Sequence, residues 1–282
     1  MPQLATRCTF CALLFLAASA GHAASPQFQQ AVINSAPVLY YQLNEESGDA
    51  INYGSLGATF NATYEGTPMR GVAGYFGDTA VKLDGTDDYL ESLAVAPESL
   101  TGNPTFSIEA VIFVPFSASI IAYPPLLHWG PADATPDGHS VFFGFRGNQP
   151  DQVFSGFYNG GLVSAAGSMP KDQWHHLIWV RTGGGTASEG STLYLDGVDV
   201  TASLVADANL CCNGLTPDVG ATEFRINRAR DLEDLRLFQA TVDEIALYDR
   251  ELSASEAQAH YRAFMVRVFA DDFESGDSSA WH

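Results

Sequence analysis

The sequence predicts an all-β protein, an antiparallel sandwich, and three observations carry that prediction. From residue 38 onward the chain is a succession of short runs rich in Val, Ile, Phe and Tyr, among them "APVLYYQL", "TFSIEAVIFV", "HSVFFGFRG" and "HHLIWVRT", each closed by Gly, Pro, Asn or Asp. Several alternate with period two: in "STLYLDGV" Leu193 and Leu195 share one face and Tyr194 takes the other, as in a half-buried strand. Helical spacing surfaces in one place only, near the C-terminus, so two sheets must bury each other's apolar faces.

Taken in order, the first segment is not part of that fold. Residues 1–23 hold one basic residue, Arg7, an apolar stretch from Phe10 to Ala20 and then small residues. That is the pattern of a secretory signal peptide cleaved after Ala23, too short for a membrane span. The mature protein is therefore expected to be exported, secreted or held at the cell surface. After the first strand, "VKLDGTDDYLES" reads as a hairpin: Asp84 and Gly85 suit a tight turn, and Leu83, Tyr89 and Leu90 pack.

A long apolar run from Val111 to Trp129 raises the membrane question, but Pro115, Pro124 and Pro125 interrupt it. Its β-branched and aromatic content suits buried strands, so it is assigned to the sandwich core. "WHHL" places His175 and His176 on opposite faces of a strand, where they cannot chelate one ion. The glycine-rich stretch Arg181–Thr192 lies between two strand patterns and reads as a hairpin loop. One helix closes the domain: Ser253 and Glu256 form a capping box, followed by Ala257, His260, Tyr261 and Phe264 at helical spacing.

Charge and cysteine content narrow the function. Thirteen Lys and Arg against 33 Asp and Glu give a net charge of −20, which repels nucleic-acid phosphates and anionic lipid. Cys8 and Cys11 leave with the signal peptide, and the remaining pair, Cys211 and Cys212, are neighbours. Three states are open to them: a strained vicinal disulfide, free thiols, or intermolecular bonds.

The order of six motifs, "YYQLNEESGDAINYGSLGATFNATY", "AVKLDGTDDYLE", "TFSIEAVIFVP", "QWHHLIWVRTGGG", "STLYLDGVDV" and "ATVDEIALYDRELSASEAQAHY", resembles the laminin-G-like, concanavalin-A-like jelly-roll family over residues 38–264. The resemblance implies an antiparallel jelly roll with one short C-terminal helix, spanning residues 28–268, in a superfold that carries lectins, adhesion modules and glycanases. One departure is Asn52, where many relatives carry Asp. The resemblance also implies a structural calcium ion on some of Asp84, Asp87 and Asp243, because carboxylates are hard oxygen ligands; the competing reading of Asp84 and Asp87 is a plain turn.

Catalysis finds little support in the residues. The E-x-D-x-x-E signature of laminarinase-like glycanases, which projects nucleophile and acid/base from one strand face, does not occur. Adjacent acids, as at Asp243 and Glu244, are expected to point to opposite faces. A glycan platform is expected instead among the aromatics of residues 128–161: if Phe143 and Phe145 face inward, Phe142 and Arg146 face outward and Trp129 and Tyr158 complete the surface, although the opposite register is equally allowed.

The tail, residues 269–282, resembles short "F-E-x-G" then Trp segments of exported bacterial proteins and implies sorting or surface retention; the alternative is a final strand that tucks Trp281 against the sandwich. The resulting expectation is a non-catalytic carbohydrate-binding or adhesion module. A glycan-active enzyme or a structural envelope protein are the alternatives.

Overall fold

The computed structural model describes residues 26–118, 123–132, 137–147, 149–230 and 236–266; the signal segment 1–23 and the tail 269–282 lie outside the described residues. Numbered along the chain, the strands are β1 (Leu39–Tyr41), β2 (Ala62–Glu65), β3 (Met69–Ala73), β4 (Thr79–Asp84), β5 (Tyr89–Val95), β6 (Phe106–Phe113), β7 (Pro125–Trp129), β8 (Val141–Arg146), β9 (Gln149–Phe157), β10 (Gly160–Val163), β11 (Trp174–Arg181), β12 (Ser191–Leu195), β13 (Val198–Asp199), β14 (Val205–Ala206), β15 (Glu223–Ile226) and β16 (Gln239–Tyr248). Helices α1 (Pro26–Asn34) and α2 (Ala254–Met265) flank them.

These strands form two eight-stranded antiparallel sheets. The first runs β13-β12-β11-β6-β16-β4-β3, with β1 paired to β16; the second runs β14-β10-β9-β8-β7-β15-β5-β2. Neighbours in space are mostly not neighbours in sequence, as a jelly roll requires.

Alternation decides what each strand buries. On β6, Phe106, Ile108, Ala110 and Ile112 point into the core between the sheets, while Val111 packs on the outer face. On β11, Leu177 and Trp179 point inward while Ile178 and Val180 point outward. The interior is held by rings: Phe106 meets Trp129 and Trp179 edge-on at 5.2 and 4.9 Å between centroids. Such pairs add about 0.5–1.5 kcal/mol beyond the area they bury.

The outer face of the first sheet is apolar too, and the two helices seal it. Phe28 and Val32 of α1 and Ala257 and Phe264 of α2 bury themselves there with Phe76, Ile178 and Tyr248. The α2 cap is reciprocal, as the sequence implies: the Ser253 hydroxyl accepts from the Glu256 amide at 3.2 Å and the Glu256 carboxylate accepts from the Ser253 amide at 2.8 Å. The sequence reading has no counterpart to α1. Its nine residues offer two buried anchors four apart, too little periodicity to stand out beside the adjoining signal segment. Among the described residues no helix is long and apolar enough to cross a membrane.

Candidate functional site

The outer face of the second sheet is covered by loops rather than helices, and a cavity lies there. One cross-strand row runs Thr63, Glu91, Arg225, His128, Phe142, Gly156, Gly161 through β2, β5, β15, β7, β8, β9 and β10. On β8 the alternation resolves as Phe143 and Phe145 inward and Phe142 and Arg146 outward. Phe142 and Phe154 form the floor of the cavity. The Phe154 ring reaches across the sheet because Gly156 and Gly161 lie beneath it: a Cβ on Gly161 would sit 2.7 Å from that ring.

The cavity, about 150 Å³, is walled by Tyr123, Tyr158, Asn159, Leu210 and Arg236. The Arg236 guanidinium lies 5.7 Å from the centre of the Phe142 ring. Beside Phe142, His128 is fully buried and neither ring nitrogen has a hydrogen-bond partner among the described residues. Burial, reinforced by the charges of Arg225, Arg236 and Arg230, pushes its pKa well down, so His128 is a neutral imidazole.

The four residues expected to form a platform have separate fates. Phe142 and Tyr158 both contact the cavity. Arg146 reaches the same face, but its guanidinium grips Asp207 through two bonds of 2.9 and 3.0 Å and Gln152 through a third of 3.0 Å. With Tyr123 donating to Asp207 at 2.7 Å, Arg146 builds the wall. Trp129 is a correction: it is fully buried between the sheets, where its indole N–H donates to the Leu100 carbonyl at 2.9 Å, and it lines no groove. A strand that puts both Leu127 and Trp129 in the core cannot also present the indole outside. Tyr123, Phe154, Asn159, Leu210 and Arg236 are absent from the sequence reading; the alternation of "QVFSGFY" is the one local signal that points to Phe154.

The expected metal ligands also separate. Register places Asp84 opposite Gln239, four residues from Asp243 along β16, or about 13 Å, too far for one ion. Asp84 and Asp87 gather with Asp88 at the β4–β5 turn. The Asp84 carboxylate accepts from the amides of Thr86 and Asp87 at 2.6 and 3.4 Å, and buried Asp88 accepts from Thr67 and Asp84 at 2.8 and 2.9 Å. Gly85 completes the turn at φ +79°, with no space for a Cβ beside the Gln239 amide. Asn52 is likewise structural: its carbonyl oxygen accepts from Tyr40 and Gly54 and its amide donates to Gly57 at 3.1 Å, a donation that Asp would not make.

Asp243 stands with Asp78 and Glu244, one oxygen of each within 4.8 Å of the others. Adjacent acids share a site here because the register shifts between Val242 and Glu244, a β-bulge that breaks strict alternation and corrects the expectation of opposite faces. Cys211 and Cys212 are joined by a disulfide.

Two antiparallel sheets packed as a jelly-roll sandwich define a concanavalin-A-like fold. The sequence profile of the concanavalin A-like lectin/glucanases superfamily, Laminin_G_3, matches residues 84–258, and the chain belongs to that family. No curated protein matches the chain. Among solved structures it is similar to the Trypanosoma rangeli sialidase in complex with sialic acid (16% identity, TM-score 0.54), over 82% of this chain and 33% of that one. It is similar to domain 4 of AbnA, an extracellular arabinanase from Geobacillus stearothermophilus, in complex with arabinotriose (17%, 0.52), over 80% of this chain and 98% of that one. The binding domain of Paraclostridial Mosquitocidal Protein 1 is a further neighbour (11%, 0.53), over 82% of this chain and 53% of that one. The chain thus spans about a third of the sialidase. At these identities the likeness is one of fold.

Proposed function

We propose that the protein is a non-catalytic carbohydrate-binding module, exported to the medium or the cell surface, that seats a sugar against Phe142 and Tyr158. The observation that carries this reading is the cavity itself: rings floor it, and Asn159 and Arg236 supply polar edges. Sugars offer an apolar C–H face and polar rims, and such walls match them. Its described lining presents rings, an amide and a guanidinium rather than the paired carboxylates of a glycosidase. The sialic acid and arabinotriose held by two structural neighbours support a glycan as the ligand class. Export is supported by the signal pattern of residues 1–23 and by a disulfide, which persists in oxidising compartments.

A glycan array probed with residues 24–282 tests the reading. Retention of at least one glycan, weakened tenfold or more by Tyr158→Ala with the melting temperature preserved, is the expected result. Equal retention by both proteins would remove the cavity from the account.

We propose further that the structural calcium belongs on Asp78, Asp243 and Glu244 rather than at the 84–88 turn. Glu244 is 2% exposed, and burial and the charges of Asp243 and Asp78 push its pKa well up against the opposing contacts of Tyr40 and Gln29. A divalent cation would relieve that repulsion. The expected outcome is a higher melting temperature in calcium than in chelator, lost in Asp243→Asn and kept in Asp84→Ala. Identical melts in both buffers would remove the ion.

A further inference from the structure

We propose that the Cys211–Cys212 disulfide is a second subsite at the rim of the groove, a rigid sulfur-bearing ring against which the next residue of a saccharide chain packs. This rests on the carbohydrate reading above and extends it: the module would recognise a chain rather than a single sugar.

The size of the cavity sets the problem. About 150 Å³ is small beside the roughly 300–1,000 Å³ of sites that enclose a drug-sized ligand. It has room for one sugar ring or chain end, and the remainder of an oligosaccharide must lie along a rim. One rim is built for contact. The loop from Asp207 to Leu215 forms a wall through Leu210 and is pinned to the β9–β10 hairpin. The Cys212 amide donates to the Asn159 carbonyl at 3.0 Å. The Asn213 side chain accepts from the Gly161 amide and donates to the Asp207 carbonyl, each at 2.9 Å. Gly160 lies so close beneath that a Cβ there would stand 2.6 Å from the Cys212 carbonyl oxygen.

Asn159 joins the rim to the cavity. It lines the cavity, and its side-chain amide donates to Asp137 at 2.6 Å. The other oxygen of Asp137 lies 3.1 Å from the Cys212 sulfur. Cys211 is exposed and Cys212 half-buried. A sulfur-bearing ring flanked by the Asp137 carboxylate is therefore joined to the cavity through Asn159, and sets an exposed disulfide beside a polar edge. A bond between chain neighbours closes an eight-membered ring and fixes the peptide between them, so the surface is set before the ligand arrives.

The test compares mono-, di- and trisaccharides of arabinose, glucose, galactose and N-acetylglucosamine by titration calorimetry. Three samples are measured: the oxidised protein, the protein after dithiothreitol, and the Cys211→Ser/Cys212→Ser double variant. Dithiothreitol gives up two electrons and two protons, leaving two cysteine thiols and its own cyclic disulfide. In the oxidised protein at least one series should gain tenfold or more in affinity from mono- to disaccharide. Reduction or the double variant should abolish that gain and leave monosaccharide affinity unchanged, which also reports an intact fold. A gain that survives both treatments, or affinity that is flat with chain length, overturns the subsite while the carbohydrate reading stands. Binding in none of the four series overturns that reading and the subsite with it.

Discussion

Two rows of side chains, one across the outside of each sheet, begin from the same pleat and end in different chemistry. On the first sheet the row Tyr40, Ala246, Glu109, Ile178, Tyr194 lies beneath α1 and α2. Its one carboxylate is fully partnered. Buried Glu109 takes hydrogen bonds of 2.7 Å from His176, 2.9 Å from His260 and 2.6 Å from Tyr248. Burial alone would raise the Glu109 pKa, but the His260 charge and the bonds from both histidines overcome it and hold the carboxyl below its ordinary range. On the second sheet the corresponding row carries His128 and Phe142 beneath loops, with a cavity above and a histidine that has no hydrogen-bond partner among the described residues. Helical cover thus goes with a histidine–carboxylate network centred on Glu109, although the Tyr40 hydroxyl and His176 Nδ1 have no hydrogen-bond partner among the described residues, and loop cover goes with an incompletely filled, aromatic surface. The second arrangement is the one on which the proposed carbohydrate site rests.

The sharpest way to break this contrast is to remove one polar group from each row. Glu109→Ala leaves His176, His260 and Tyr248 facing a void and is expected to cost about 3–5 kcal/mol, the range for deleting one partner of a buried charged pair. His128→Phe replaces an unpartnered buried imidazole by an apolar ring of similar shape and is expected to cost under about 1 kcal/mol, or to stabilise. Urea unfolding of the two variants measures both. Comparable losses would show that the second face is as finished as the first.

A smaller effect separates the rows by the sign of their pH dependence. His260 is buried, which alone would lower its pKa, but Glu109 raises it on balance. Between about pH 6.5, the unfolded value, and its higher native value, the native state holds a proton that the unfolded chain releases, so stability falls as pH rises. The native pKa of His128 is depressed, so below about pH 6.5 the unfolded chain takes up a proton that the native state refuses, and stability falls as pH falls. His260→Gln should flatten the upper limb of melting temperature against pH, and His128→Phe the lower limb. Two variants with the same residual slopes would mean that neither row governs titration.

What the sequence disclosed, and what it hid, follows from the range of each interaction. The α2 cap spans Ser253 to Glu256 and is readable because both halves lie within one turn. On β8 the sequence showed that Phe142 and Arg146 travel together, opposite Phe143 and Phe145; it did not show which pair faces the core, because β8 carries apolar side chains on both faces. Trp129 was misplaced for the same reason, since all of β7 is buried and an outward indole cannot be told from an inward one. At Asp243 and Glu244 the bulge removed the premise of alternation. The network around Glu109 had no local signature at all, for His260 lies 151 residues away and meets it only through the fold.

The last and smallest prediction concerns Ser35, where the first row presents an arrangement that invites a catalytic reading. Its hydroxyl lies 2.9 Å from His260 Nε2, and His260 Nδ1 lies 2.9 Å from Glu109, the serine–histidine–carboxylate order of a hydrolase relay. Two features argue that this is a latch. Ser35 is 6% exposed, at the foot of α1, so no acyl group reaches it unless the helix lifts. The raised pKa favours the imidazolium, which cannot take the serine proton, whereas its Nε2–H can donate to the hydroxyl. Ser35→Ala is therefore expected to cost about 1.5 kcal/mol, the lower end for a hydrogen bond to a charged group. A fluorophosphonate probe should leave the native protein unlabelled. Labelling at Ser35 would put reactive chemistry on the helix-sealed face and dissolve the contrast between the two rows. Unchanged stability without labelling would mean that Phe28 and Val32 hold α1 down by apolar packing alone.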